Sequence, residues 1–325
     1  MAFMPYTTKK IIAELPARQL GIEGLMKAMA PTLEQLYKPI ETEMHSVSAK
    51  ISEVLNSCHN PSVRALERYI LEAPGKRLRP ALCLMMYKAL ATTPAQHGNL
   101  IHIAAALELI HMASLIHDDL NDAGELRHEK ETVVKKYGAP AANTAGVLVY
   151  SQALTLMCTP EDLPALRVIS KVVSVLCEGE LTQILERGNM SLTLPAYLEI
   201  LDKKTGILFA AACECGALVS GASLEQIAGA KNYGAKLGMY FQILDDYMDL
   251  TGDKKTLKKE PGQDFRQGEL TLPALLHMQD CPPQEKEQIV QLYQKPEKTD
   301  EDLARLQTIL RASNALERTK EIANQ

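Results

Sequence analysis

The chain of 325 residues is long enough to bury a large core, and 46% hydrophobic with 23% charged residues excludes a disordered or collagen-like protein. A formal net charge of −5, without any block of Lys or Arg, argues against a nucleic-acid-binding protein. The absence of Trp, the presence of only 4 Phe, and the modest numbers of Gly (18) and Pro (17) favour helices over a β-sandwich.

The N-terminal segment and the cysteines indicate a cytosolic protein. Residues 1–10 are basic only at Lys9 and Lys10 and lack the apolar core of a signal peptide. The 7 cysteines are scattered without a C-x-x-C pair, which predicts reduced thiols. Cys213 and Cys215 stand alone in an apolar stretch, so we interpret them as core residues and not as zinc ligands. We therefore expect a cytoplasmic protein.

Apolar residues recur at helical spacing along the whole chain, as in the stripe Ile103, Leu107 and Ile110. Alternating strand patterns are not evident, and no break that contains Pro or Gly is long enough to be an interdomain linker. The longest uncharged stretch, residues 139–160, contains Asn, Thr, Ser and Gln, so it predicts a buried bundle helix and no transmembrane segment. We predict an all-α protein with a single domain over residues 1–325, built as an antiparallel helical bundle.

Two segments share the pattern D-D-x-x-D, and each closes an apolar helical run. The first aspartate motif is Asp118, Asp119 and Asp122, and the second aspartate motif is Asp245, Asp246 and Asp249. Residues four apart on a helix lie on one face, about 6 Å apart, so the first and last aspartate of each motif can share a target. Sets of carboxylates alone favour Mg²⁺ or Mn²⁺ over zinc. Because Mg²⁺ usually binds a few carboxylates together with substrate phosphates, the motifs predict a phosphorylated substrate.

A solvated helix end is the alternative interpretation of one such motif, but two copies on separate apolar helices weigh against it. Basic residues supply the complementary charge near both motifs and in the turn G-K-R-L-R-P, which precedes an apolar run. Side chains of this kind bind diphosphate oxygens beside a Mg²⁺ cluster, although each of them alone would be read as a surface charge. No Gly-rich phosphate-binding loop is present in the sequence, so metal ions and side chains must hold the phosphates.

The ordered set of motifs resembles the trans-isoprenyl (polyprenyl) diphosphate synthase family. The matching segments are Gly75–Pro80, Glu108–Asp122, Gly179–Gln183, Lys204–Thr205, Phe241–Asp249, Pro261–Asp264 and Leu270–Pro273. The resemblance covers about residues 60–320 and leaves about residues 1–60 as an N-terminal extension. It implies an all-α bundle of the isoprenoid synthase type with a deep central cavity, and the two aspartate motifs face each other across the mouth of that cavity.

The resemblance also implies a reaction. The allylic C–O bond ionises, the double bond of isopentenyl diphosphate attacks the cation, and loss of a proton gives a longer linear trans-polyprenyl diphosphate. Three Mg²⁺ ions (or Mn²⁺) would bridge the six aspartates to the allylic prenyl diphosphate. The other implied site residues form three sets: Arg127, Lys204 and Lys259 on the allylic diphosphate, Lys76, Arg79 and His111 on isopentenyl diphosphate, and Thr205 and Gln242 beside the cation. A homodimer is implied as well.

The product length is a further expectation from the resemblance. In this family a bulky aromatic residue one turn before the first aspartate motif closes the floor of the cavity. Ala113 and Ser114 occupy those positions here, and both are small. A residue about 5 Å of helix back from the metal site would project into the tunnel. The small side chains therefore predict a longer prenyl chain, unless another helix supplies the floor.

Two positions depart from the family pattern and bear on the affinity for isopentenyl diphosphate. His128 stands where a second arginine is usual, and Glu269 replaces a lysine that is expected near the diphosphate. Two alternatives are therefore retained: a terpene cyclase that uses the same ionisation, and a partner subunit of a heteromeric prenyl synthase. The presence of Lys76, Arg79 and His111 disfavours the cyclase, and the six intact aspartates disfavour the partner subunit.

Overall fold

The computed structural model of the chain describes residues 32–73, 75–91, 98–127, 130–252 and 261–324. In these ranges the chain is almost entirely helical, which confirms the predicted all-α class. The single strand pairing in the described part joins β1 (Leu126–Arg127) and β2 (Lys130–Glu131) as a short antiparallel ribbon. The helices of the first half are α1 (Leu33–Tyr37), α2 (Glu41–Val54), α3 (Pro61–Leu71), α4 (Leu78–Leu90), α5 (Gly98–Asn121), α6 (Val133–Tyr137) and α7 (Ala139–Leu156).

The second half continues the helical pattern. Its helices are α8 (Leu163–Leu185), α9 (Leu194–Leu201), α10 (Ile207–Val219), α11 (Leu224–Thr251), α12 (Gln263–Gln267), α13 (Leu272–Asp280), α14 (Pro283–Gln294), α15 (Asp300–Arg311) and α16 (Ala315–Ala323). Short 3-10 turns lie at Lys38–Ile40 and Pro160–Asp162. The chain divides into two compact units, residues 1–41 and 42–325. The predicted single domain over the whole chain stays a prediction.

In the first unit, α1 begins at a capping box. The Thr32 hydroxyl accepts a hydrogen bond from the Gln35 backbone N–H at 3.3 Å, and the Gln35 side chain accepts one from the Thr32 backbone N–H at 2.9 Å. These bonds satisfy two backbone donors that the first helical turn cannot pair internally. The start of α1 is therefore specified by the local sequence.

The core of the second unit is built around α10. This helix is buried on almost all sides, and it packs against α4, α8 and α11. Small residues make the close packing possible: a Cβ atom on Gly216 would lie 2.3 Å from the carbonyl oxygen of Cys83 on α4. Cys213 and Cys215 are fully buried free thiols, as the interpretation of core cysteines predicted.

Two long apolar helices, α5 and α7, pack against each other beside this core. The α5 segment Leu100–Asn121 is the one described helix that is long and apolar enough to cross a membrane, and 67% of its most apolar window is buried in the protein. The uncharged stretch singled out in the sequence forms α7, which buries one face through residues such as Ala142 and Val149 and exposes Asn143 and Thr144 on the other. The division of its faces fits a bundle helix.

The C-terminal helices α13–α16 form a second apolar cluster that covers the end of α11. Phe265, Leu272, Leu306 and Tyr293 are buried in it together with Leu250 of α11. These C-terminal helices, although rich in charged residues, therefore contribute buried faces to the core. This cluster fixes the segment 261–273 against the end of α11, where the second aspartate motif lies.

Helices α9 and α10 are joined by a π-helical turn over Asp202–Gly206, in which the Ile207 N–H bonds to the carbonyl oxygen of Asp202. Helix α8 lies directly against this turn. A Cβ atom on Gly179 would lie 2.7 Å from both the Cβ of Lys203 and the backbone N of Lys204, so only glycine permits the approach. Single π turns inside helices occur frequently at functional sites.

Candidate functional site

The two aspartate motifs lie in the last turns of α5 and α11, and both reach one cluster of charged side chains. The Lys204 ammonium, on the π turn, interacts with Asp118 of the first motif and with Glu269. Glu269 in turn interacts with Asp122 of the first motif and with Asp246 of the second. Lys204 and Glu269 therefore connect the motifs electrostatically, and both motifs lie within reach of one charged cluster.

Two carboxylates of the first motif are paired with arginines. The Nε and Nη2 atoms of Arg127 lie 2.9 and 2.8 Å from Oδ1 of Asp119, so the ribbon strand β1 carries a guanidinium back onto the motif. Nη2 of Arg187, just beyond α8, lies 2.8 Å from Oδ1 of Asp122. The predicted metal ligands Asp119 and Asp122 thus already contact cations within the protein.

Asp118 has a different environment, since it is half-buried and interacts with several charged side chains. Burial raises the pKa of its carboxyl to about 7; Glu180 raises the pKa as well, while Lys204 and Arg127 lower it. Lys204 Nζ lies 2.9 Å from Oε2 of Glu180, so its charge is shared between two carboxylates. A buried carboxylate whose ionised form is under-compensated is a suitable ligand for an added cation.

Hydrogen bonds fix the side chains of the second motif. Both oxygens of Asp246 accept a hydrogen bond, from the Tyr197 hydroxyl at 2.6 Å and from Nε2 of Gln242 at 2.8 Å. Burial raises the pKa of Asp246 to about 6, although these two hydrogen bonds lower it. The Thr205 hydroxyl donates to Oε1 of Gln242 at 2.8 Å. The predicted pair Thr205 and Gln242 therefore orients this aspartate.

The remaining carboxylates of the second motif lie on one helix face. Asp249 is buried, and its Oδ2 accepts a hydrogen bond from the backbone N–H of Asp264 at 3.2 Å. Asp245, one turn earlier, is half-buried. Together with the first motif they form a donor set made only of oxygen, with one carboxylate, Asp118, that burial makes reluctant to ionise alone. This chemistry fits a hard divalent cation such as Mg²⁺.

The residues expected to bind isopentenyl diphosphate are partly assembled. Arg79, on α4, stacks 4.7 Å above the ring of Phe209, and its buried Nε has no hydrogen-bond partner among the described residues. Burial lowers the pKa of the Arg79 guanidinium to about 10, whereas Glu108 and Asp118 raise it. A buried cation without a hydrogen-bond partner fits an anionic ligand, because such donors are otherwise satisfied in folded proteins.

His111, on α5, lies near Arg79. Burial and the charges of Arg79 and Arg127 lower its pKa well below the usual range, so the imidazole is neutral at pH 7. Lys76 precedes α4 in an exposed turn, where Arg77 adopts a left-handed conformation with φ of 52°. The structure thus places Arg79 and His111 together and Lys76 on the surface.

Several predicted positions fall elsewhere. Lys259 and His128 lie outside the described residues. Ala113 and Ser114 are buried on α5, and nothing in the described residues assigns them to a cavity floor.

Sequence reasoning missed Tyr197 and Arg187, which contact the aspartate motifs, and Glu180, which pairs with Lys204. Tyr197 and Arg187 gave no local signal, because they contact aspartates 49 and 65 residues away in the chain. Glu180 belongs to the segment Gly179–Gln183, which carried part of the resemblance, but it was given no role. Glu269 was read as an unfavourable charge reversal, yet it is paired with Arg187, whose Nη2 lies 2.8 Å from its Oε1.

Comparisons with known proteins agree with this architecture. A family model described as polyprenyl synthetase matches residues 60–310. The chain is 33% identical over 257 residues to octaprenyl diphosphate synthase of Escherichia coli K12, covering 79% of this chain and 78% of that protein. It is 34% identical over 250 residues to heptaprenyl diphosphate synthase component 2 of Geobacillus stearothermophilus, covering 76% of each. The crystal structure of a polyprenyl synthase from Caulobacter crescentus CB15, complexed with calcium and isoprenyl diphosphate, superposes with a TM-score of 0.84 at 32% identity, over 90% of this chain and 88% of that one.

Proposed function

The chain belongs to the polyprenyl synthetase family and is a prenyltransferase, and on that premise we propose that it condenses isopentenyl diphosphate with an allylic prenyl diphosphate in a Mg²⁺-dependent reaction. The product is a longer linear trans-polyprenyl diphosphate. One observation supports the proposal: both aspartate motifs interact with a common cluster that contains Lys204 and Glu269, and Arg79, whose buried Nε has no hydrogen-bond partner among the described residues, interacts with Asp118 of the first motif.

The six aspartates would hold the metal ions, and the family resemblance suggests three of them. Divalent cations bound there neutralise charge that develops on the departing diphosphate. Asp118 and Asp122, one helical turn apart, would bind the metal ions from the side of the first motif. Asp245 and Asp249 would bind them from the side of the second motif.

Lys204 would bind the allylic diphosphate. Burial lowers its pKa, but Asp118, Glu180 and Glu269 raise it by more, so the side chain remains cationic at every physiological pH. A fixed ammonium at this position donates hydrogen bonds to phosphate oxygens and stabilises their charge as the C–O bond breaks. Arg127, and Lys259 on the resemblance alone, complete the set.

Arg79 and His111 would bind isopentenyl diphosphate. The guanidinium would supply a permanent charge and its buried Nε, which has no hydrogen-bond partner among the described residues, and the neutral imidazole would supply one hydrogen bond without adding charge. The exposed Lys76 would reach the same diphosphate from the turn before α4. These three residues disfavour the alternative of a terpene cyclase.

Thr205 and Gln242 present oxygen atoms beside the second motif. Their dipoles would stabilise the allylic cation, and the surrounding apolar helices would exclude water from it. The released diphosphate, held by the same cations, would accept the proton that the new product loses.

We extend the proposal to a cytoplasmic homodimer. A partner subunit of a heteromeric synthase is the second candidate, because one relative is named as component 2 of its enzyme. The intact aspartate motifs support the catalytic role over that candidate.

A prenyl-transfer assay tests the function. Purified protein with Mg²⁺, radiolabelled isopentenyl diphosphate and allylic primers of five to twenty carbons is expected to give labelled products. Asp118→Ala and Asp245→Ala are each expected to reduce the rate by about 10²–10³-fold or more, since each removes a ligand from the charge-stabilising cluster. The exposed Glu225→Ala on α11 serves as the control. Absence of incorporation with every primer would contradict the proposal.

A further inference from the structure

The side chain of Arg187 bridges two carboxylates at the edge of the candidate site. Nη2 lies 2.8 Å from Oδ1 of Asp122 and 2.8 Å from Oε1 of Glu269, and Nε lies 2.9 Å from the same Glu269 oxygen. Nη2 also contacts Oε1 of Gln267 at 3.0 Å. One cation thus connects the first aspartate motif with the residue whose charge is reversed relative to the family pattern.

The Glu269 end of this bridge is fixed. Gln183 hydrogen-bonds to the other carboxylate oxygen of Glu269, and the backbone N–H of Gly188 donates to the carbonyl oxygen of Gly268 at 2.9 Å. Glu269 is also more deeply buried than Asp122, with 9% against 32% of the side chain exposed. We therefore regard the contact with Glu269 as the permanent one and the contact with Asp122 as the one that can be exchanged.

The Asp122 end must change when the site binds a metal ion. Arg187 contacts Oδ1 of Asp122, and Asp122 follows Asp118 by one turn, since its backbone N–H donates to the carbonyl oxygen of Asp118 at 2.9 Å. The guanidinium of Arg187 lies 2.8 Å from Oδ1 of Asp122. A divalent cation bound to the same carboxylate oxygen would repel it, so the two cations compete for Asp122. Arg187 Nη1 hydrogen-bonds to none of the described residues, so its N–H groups can bind an anion. Release from Asp122 would add an N–H group of Nη2 to these donors.

We propose that Arg187 is a further diphosphate-binding residue, paired with Asp122 in this structure and turned to the diphosphate when Asp122 binds a metal ion, with Glu269 as its positioning residue. The inference rests on the diphosphate-binding role proposed above. The net charge of the pair supports this role of Arg187, because Arg187 and Glu269 together are neutral. Glu269 then holds a cation at the site, and its own negative charge is balanced and does not repel the diphosphate.

Binding measurements test the proposal without prenyl transfer. Calorimetric titrations use the full chain with MgCl₂ alone, and with inorganic pyrophosphate at saturating MgCl₂. For Arg187→Gln we expect pyrophosphate to bind about 10–100-fold more weakly, as for a lost hydrogen bond between charged groups. Mg²⁺ alone should bind more tightly, because its competitor for Asp122 is gone. The exposed Arg167→Gln on α8 should change neither affinity.

A double-mutant cycle tests the positioning role of Glu269. With Arg187 present, Glu269→Gln should weaken pyrophosphate binding, because the guanidinium loses its anchor. In the Arg187→Gln background the same change should strengthen binding, because it removes a carboxylate that is left without its cation. A purely structural pair would not show this reversal of sign.

Two results overturn the proposal. One is an Arg187→Gln protein that binds pyrophosphate as the parent does, or binds both Mg²⁺ and pyrophosphate more weakly, which indicates a structural role. The other is tighter pyrophosphate binding in Glu269→Gln alone, which indicates simple repulsion. If Arg187→Gln does not fold, Arg187→Lys keeps the charge, loses the two-pronged geometry and is subject to the same criteria.

The prenyl-transfer assay on the same preparations separates this inference from the proposed function. A parent protein that binds Mg²⁺ and pyrophosphate but transfers no prenyl group contradicts the function and leaves the inference standing. Prenyl transfer by the parent protein, together with unchanged pyrophosphate affinity in Arg187→Gln, supports the function and contradicts the inference.

Discussion

Asp118 shows how a single residue of the site couples metal binding to stability. Its carboxyl is held in the folded protein at a pKa of about 7, against 3.8 for the free side chain, because burial disfavours the charged form. Between these two values the folded state binds more protons at this site than the unfolded state. The free energy of unfolding therefore falls as the pH rises through this window. Above it, the protein bears the full cost of keeping the charged carboxylate in the folded state.

We predict that Asp118→Asn stabilises the metal-free protein above pH 7 and leaves its stability unchanged below pH 4. The neutral amide removes the cost of burying a charge. Each kcal/mol regained corresponds to a rise of roughly 2–4 °C in Tm. Thermal unfolding in the presence of a chelator, from pH 4 to pH 8, measures the effect, with the exposed Glu225→Gln as the control. An unchanged difference in Tm across this range would contradict the assignment.

Tyr197 is the residue that best shows what supports the second motif. Its hydroxyl donates to Asp246 inside the protein and favours the ionised carboxylate. We predict that Tyr197→Phe lowers the free energy of unfolding by about 1–3 kcal/mol, the cost of leaving a buried acceptor unpaired. The acidic limb of the pH–rate profile should also move to higher pH, because the pKa of Asp246 rises. Tyr233→Phe, at a half-exposed position on α11, should change neither quantity.

At the scale of the elements, the contact between α8 and the π turn decides where Lys204 lies. Gly179 leaves no space for a side chain at this contact, whereas a Cβ atom on Gly229 of α11 would meet nothing within 4 Å. The two positions therefore form a matched pair for substitution.

We predict that Gly179→Ala destabilises the protein by about 1–3 kcal/mol, as overpacking does, and reduces prenyl transfer by displacing Lys204 from Glu180. Gly229→Ala should keep full activity and gain up to about 1 kcal/mol, since alanine is the better helix former. Urea unfolding and the prenyl-transfer assay measure both. Wild-type stability and activity in Gly179→Ala would show that the turn is free to shift.

At the scale of the whole molecule, product length depends on the depth of the predicted cavity, to which several helices contribute. Ser114 lies one helical turn before Asp118 and is buried. We predict that Ser114→Phe shortens the prenyl products, because an aromatic ring there would raise the floor. Leu115→Phe, on a different face of α5, should leave the product length unchanged. Chromatographic sizing of the products distinguishes the two, and equal lengths from both variants would assign the floor to another helix.

The fold class and the position of the aspartate motifs could be predicted because they depend on local rules. Helical spacing fixes which residues share a face, and it placed Asp118 with Asp122 before any packing was known. The partners Tyr197 and Arg187 could not be predicted, since their contacts span 49 and 65 residues and exist only after α9 packs near α11 and the end of α8 packs near the end of α5. Glu269 looked unfavourable for the same reason, because its compensating charge lies in a distant segment.

The π turn at Asp202–Gly206 has a consequence for how this site can diversify. A π turn contains one residue more than the α-helical turn it replaces, so it is equivalent to an insertion in a continuous helix. Each residue turns a helix by about 100°, so the insertion sets the orientation of α9, and of Tyr197 on it, relative to Thr205 and α10. Deletion of one residue would keep every side chain of the site in the sequence and still rotate Tyr197 away from Asp246. A change in length at this point therefore reorients the whole of α9, whereas the substitution Tyr197→Phe removes only the hydrogen bond to Asp246.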